Sequence, residues 1–180
     1  MKPLFRVSLA LLCMVCSACT TQGVFPPKVA DGVDANFDFA RWRMMPNESV
    51  GKKVQLGGRI VQSEASGGMV TIVVSQLPIV SHPAYGPKDS GKNNGDFVIT
   101  YQGQIEAPIL QPGNRVMVVG TTGPSKVVTV GDLSRSFPIL AANCLHVWNT
   151  QGRDIDEFPF FEAGYETLEQ KTICARTSTP

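Results

Sequence analysis

The chain has 180 residues, enough for one domain and too few for two ordinary ones. Hydrophobic residues make up 43% and charged residues 17%, which excludes a disordered, collagen-like or coiled-coil chain. A formal charge of +1 excludes the electrostatic footprint of a nucleic-acid binder.

Residues 1–18 read as a secretory leader. Lys2 and Arg6 form a basic start, Val7–Val15 carries no charge, and Ser17 and Ala18 are small. The apolar stretch Val7–Ala18 is too short for a membrane-spanning helix, which needs about 20 residues. Cys19 comes next, with Cys16 three positions before the cut, a pattern that resembles a bacterial lipobox. In that reading Cys19 is acylated and becomes the N-terminus. The alternative is an ordinary cut after Ala18 and a free secreted protein. Thr20, where Asp would favour the inner membrane in similar lipoproteins, points to the outer membrane. Without the leader, which carries Lys2 and Arg6 and no acid, the formal charge becomes −1. Of five cysteines, Cys13 and Cys16 leave with the leader and Cys19 is consumed by lipid. Cys144 and Cys174 remain, a candidate disulfide in an oxidising compartment. The alternative is a buried Cys144 and an unrelated, exposed Cys174.

Residues 19–33, with Gly23, Pro26 and Pro27, read as a tether. Residues 34–45 predict a helix capped by Asp34, with Phe37, Ala40 and Met44 on one face and Pro46 as the stop. Strands follow at Lys53–Gln62, bent at Gly57-Gly58, and at Met69–Leu77, with a Gly67-Gly68 turn between them. Pro78–Gly95 is a long loop and the best candidate contact surface. Further strands are expected at Asp96–Gln102, Asn114–Thr121, Val127–Val130 and Phe137–Trp148. The tail is acidic and aromatic, with a short helix expected at Glu162–Lys171. The whole predicts an all-β chain: a small OB-like closed barrel of five to six strands, a short N-terminal helix and an irregular C-terminal tail. The domain occupies 34–150 and the tail 151–180. Continuous apolar runs such as VTIVV and VMVV, and too few strands, argue against a transmembrane barrel.

These residues resemble the Slp family of bacterial outer-membrane lipoproteins from about Phe37 to Trp148. The resemblance rests on Val50-Gly51-Lys52-Lys53-Val54 with Leu56-Gly57-Gly58-Arg59-Ile60, then Leu77-Pro78 and Pro83. It continues through Gly95-Asp96-Phe97, Ile109-Leu110-Gln111-Pro112 and Val116–Gly120. It closes with Val130-Gly131-Asp132, Phe137-Pro138 and Leu145-His146-Val147-Trp148. The family implies an outer-membrane location and an OB-like barrel. It implies no catalytic activity and no cofactor.

The residues themselves offer little chemistry. Only His82 and His146 could serve as a base. His82 precedes a proline in a loop, and His146 beside Trp148 reads as a satisfied structural histidine. No zinc spacing, phosphate loop or dinucleotide fingerprint is present. Asp154, Asp156 and Glu157 read as a solvated surface rather than a catalytic pair or a weak calcium site. Arg41, Arg43, Lys52, Lys53 and Arg59 read either as a membrane-facing surface or as an ordinary face shared with Asp34, Asp38 and Glu48. Tyr85, Phe97 and Tyr101 read as core or loop anchors, or else as the lining of a groove. The expected function is therefore non-enzymatic, structural or envelope-maintaining, with outer-membrane lipid held through Cys19, and with an envelope protein as a further partner. The alternative is a periplasmic OB-type binding module for a small molecule, glycan or protein.

Overall fold

The computed structural model describes residues 23–80, 86–88, 94–153, 160–161 and 166–175. Among the described residues two short helices come first, α1 (Pro27–Ala30) and α2 (Phe39–Met44), with a 3-10 turn at Pro46–Ser49. Strands β1 (Lys53–Ser66) and β2 (Met69–Leu77) form a hairpin. The two-residue strands β3 (Ile79–Val80) and β4 (Gly86–Pro87) pair with each other. Next come β5 (Asp96–Gln102), a second 3-10 turn (Ala107–Leu110), β6 (Arg115–Val130) and β7 (Leu133–Trp148). The tail adds β8 (Phe160–Phe161), β9 (Glu166–Thr167) and β10 (Gln170–Cys174).

The main sheet closes on itself. β1 pairs with β2 and β6, β2 with β5, β5 with β7, and β7 with β6, so the hydrogen bonds run round a ring. The pairs are antiparallel except β5 with β7, which run parallel where Val98–Thr100 face Ile139–Ala141. Beyond that point the same edge of β7 takes β10, from Cys144 to Trp148.

Burial explains the apolar runs. Val116 and Val118 of β6 point into the central cluster, together with Val70, Ile72 and Val74 of β2 and Phe97 and Ile99 of β5. The intervening Met117 and Val119 are buried too, because Phe25 covers them from outside. Val73 and Val98 are likewise covered, by Phe137, Ile139 and the half-buried Val128 and Val130. A strand covered on both faces needs apolar residues at every position. The outer covers come from segments distant in sequence.

The ring requires close backbone approach at two glycines. A Cβ on Gly58 would run into Val74 Cγ1 and the Ser75 carbonyl. A Cβ on Gly120, at a register shift of β6 against β7, would meet the Ala141 carbonyl oxygen and lie 3.1 Å from Ala142 Cα. The obstacles at Gly120 are backbone and cannot rotate away. Gly120→Ala is expected to cost about 1–3 kcal/mol, read as a lowered urea midpoint.

Several expectations need correction. The helix covers only Phe39–Met44 and is capped by Asp38, whose carboxylate accepts from Arg41 N at 3.0 Å. Asp34 instead accepts from Asn36 N in a local turn. The buried helix residue is Trp42, while Met44 is exposed. Val127–Val130 is no separate strand. It continues β6 across an irregularity between Gly123 and Lys126, where Pro124 removes no ladder donor. The tail is not wholly irregular, since Gln170–Cys174 is a strand where part of a helix was expected. The stretch read as a tether packs from Val24 on, with Phe25 buried and Val29 and Val33 against the same cluster.

Candidate functional site

Cys144 and Cys174 face each other in the β7–β10 ladder and form a disulfide with a Cα–Cα distance of 4.0 Å. Cys144 is buried and Cys174 exposed. The bond joins the ring to a tail strand 30 residues downstream.

His146 lies two residues further along the same face of β7. Its Nδ1 is 2.6 Å from Thr172 Oγ1 and its Nε2 is 3.0 Å from Gln170 Oε1, both on β10. Its ring meets Trp148 edge-on at 4.1 Å, and Met117 is its register partner on β6. Burial pushes its pKa below 6.5, against the weaker opposing effect of the Gln170 hydrogen bond. The histidine therefore ties β10 to β7 in its neutral form. The unfolded chain takes up the proton near pH 6.5 and the folded chain only at lower pH, so stability falls as pH drops between the two values. The slope is expected to be at most about 1.4 kcal/mol per pH unit in urea titrations, and His146→Gln is expected to flatten it.

The other candidate residues do not converge. Phe97 and Tyr101 belong to the central core. Arg41 pairs with Glu48 at 3.6 Å and Lys52 with Asp34 at 3.7 Å, while Lys53 Nζ donates to the Asp31 carbonyl at 2.6 Å. Arg43 lies against Gly95, and Arg59 is half-buried in β1. A shallow groove runs between the second 3-10 turn and β10, crossed by the exposed Lys171–Glu106 pair at 3.1 Å. Among the described residues no three His, Cys, Asp or Glu side chains gather as a metal site. No described helix is long and apolar enough to cross a membrane. Cys19, His82, Tyr85, Asp154, Asp156, Glu157 and most of the Pro78–Gly95 loop lie outside the described residues.

Residues 16–168 match the outer membrane lipoprotein Slp family. The chain belongs to that family. No curated protein and no solved structure matches it. As an Slp-family member it is an outer-membrane lipoprotein, held at that membrane by lipid. The matched stretch takes in Cys19, Phe25 and Cys144 and ends at Leu168, just before β10. Cys174 and the partners of His146 thus lie beyond the matched stretch, in the tail of this Slp-family chain.

Sequence reasoning missed three structural residues. Phe25 stands among prolines, with no periodicity to mark it as core. Thr172 and Gln170 matter only because β10 reaches β7.

Proposed function

We propose that this chain is a non-enzymatic lipoprotein, tied to the outer membrane through acylated Cys19, with a structural role in the envelope. The observation that carries this reading is the filled ring. Trp42, Phe97, Ile99, Leu110, Leu140 and Leu145 pack its interior, so the fold offers its outer surface and its anchor. The leader pattern of residues 1–18, with Ser17-Ala18 before Cys19, supports signal-peptide removal and acylation at that cysteine. The strand order β1-β2-β5-β7-β6, with its one parallel pair, supports an OB-type barrel. Cys144–Cys174 braces the tail against it.

The test is intact-mass spectrometry of the membrane-fraction protein beside Cys19→Ser. The expected mass is residues 19–180 plus diacylglycerol and one further acyl chain, absent from the variant. Acyl chains contribute about 0.8 kcal/mol per buried methylene, so the anchored form is expected to resist salt extraction. An unmodified chain in the soluble periplasm would overturn the reading.

A further inference from the structure

Among the described residues, seven large apolar side chains stand exposed. Three of them, Met44, Met45 and Val50, lie at the end of α2 and around the 3-10 turn. A fourth, Val127, lies in β6 just beyond residues bonded to that turn. Thr122 bonds to the Ser49 carbonyl, and Asn47 Oδ1 accepts from Ser125 N at 3.0 Å, two residues before Val127. Exposed cations lie along the same segments, with Arg41 and Arg43 on α2, Lys52 before β1 and Lys126 beside Val127, among the acids Asp34, Asp38 and Glu48. The ion pairs of Arg41 and Lys52 are solvated and hold those side chains weakly. Exposed apolar side chains interspersed with cations suit an anionic lipid surface, with charges at the headgroups and apolar side chains at the acyl boundary.

Chain length says what covers this surface. From Cys19 to Gly23, the first described residue, are four residues, a reach of at most about 14 Å. Phe25 is seated on Met117 and Val119. From Met117 to Thr121, beside the 3-10 turn, is about 13 Å of strand. A lipid on Cys19 therefore holds the body against the bilayer, within reach of this end. We propose that Met44, Met45, Val50 and Val127 seat the folded body on the anionic phospholipid surface to which the chain is tied, an inference that rests on Cys19 being the acylated residue.

The test uses full-length chain from the membrane fraction in phosphatidylethanolamine–phosphatidylglycerol vesicles with brominated acyl chains. Met44→Trp and Val50→Trp are compared with Met69→Trp, at the other end of β1, after subtracting the parent emission of Trp42 and Trp148. The proposal expects quenching at positions 44 and 50 several-fold stronger than at 69. Equal quenching at all three positions, stronger quenching at 69, or none would overturn it. Intact mass of the same preparation reads the anchor separately. An acylated chain without quenching at 44 and 50 overturns the docking face and leaves the anchor standing. An unacylated chain overturns the anchor. Its quenching pattern with added vesicles then decides the face by the same criterion.

Discussion

Replacing Trp42 with alanine is expected to lower the unfolding free energy by about 3–5 kcal/mol. The side chain is fully buried. Its ring lies 5.5 Å from Phe37, 5.9 Å from Phe39 and 6.1 Å from Phe97, and Phe39 also meets Phe97 at 5.8 Å. Such aromatic pairs contribute beyond their buried area. The six-residue α2 is too short to persist alone, so its order depends on this anchor. The indole Nε1 has no hydrogen-bond partner among the described residues. Trp42→Phe removes that buried N–H while keeping much of the apolar contact, so its loss is expected to be clearly smaller than that of alanine. Urea unfolding followed by circular dichroism measures both. A loss below about 1 kcal/mol for alanine would mean that α2 does not depend on the ring.

The second large effect is expected from opening Cys144–Cys174. Closing a loop of 30 residues is worth about 3–4 kcal/mol in the chain-entropy account. Cys174→Ser is the cleaner variant, because Cys174 is exposed and Cys144 is packed against Met117, Val119 and Trp148. Its urea midpoint is expected to match that of the parent chain in reductant. Hydrogen exchange is expected to rise first along β10, whose backbone pairs with β7 from Gln170 to Cys174. An unchanged midpoint in both conditions would show that β10 stays docked through His146 and its backbone ladder alone.

Much of the ring was legible because its signals are local. Ser66 pairs with Met69 across Gly67 and Gly68, both at positive φ, as a two-residue hairpin turn requires. Gly57-Gly58 marks close approach rather than the bend: Ile79 and Pro87 approach Gly57 and β2 approaches Gly58, while the register of β1 shifts between Ile60 and Gln62. The end of β6 was less legible. Pro124 interrupts the apolar pattern, and only pairing with β7 carries the strand through to Val130. The helix face was misread because periodicity over so few residues cannot tell which side meets the core. Trp42 is buried there, and Met44, chosen by spacing, faces solvent.

The sequence by itself determined the leader pattern, the family, the run of β-rich segments and the glycines at which they turn. Those properties rest on residues a few positions apart, where spacing and backbone preference act directly. Only the tertiary structure decided that Phe25 covers β6, that β10 joins β7, and that Thr172 and Gln170 hold His146. It alone placed Met44, Met45 and Val50 in the open. Those outcomes depend on contacts between segments far apart in the chain. Which surface ends buried is set by what the closed ring leaves uncovered, and no local pattern records that.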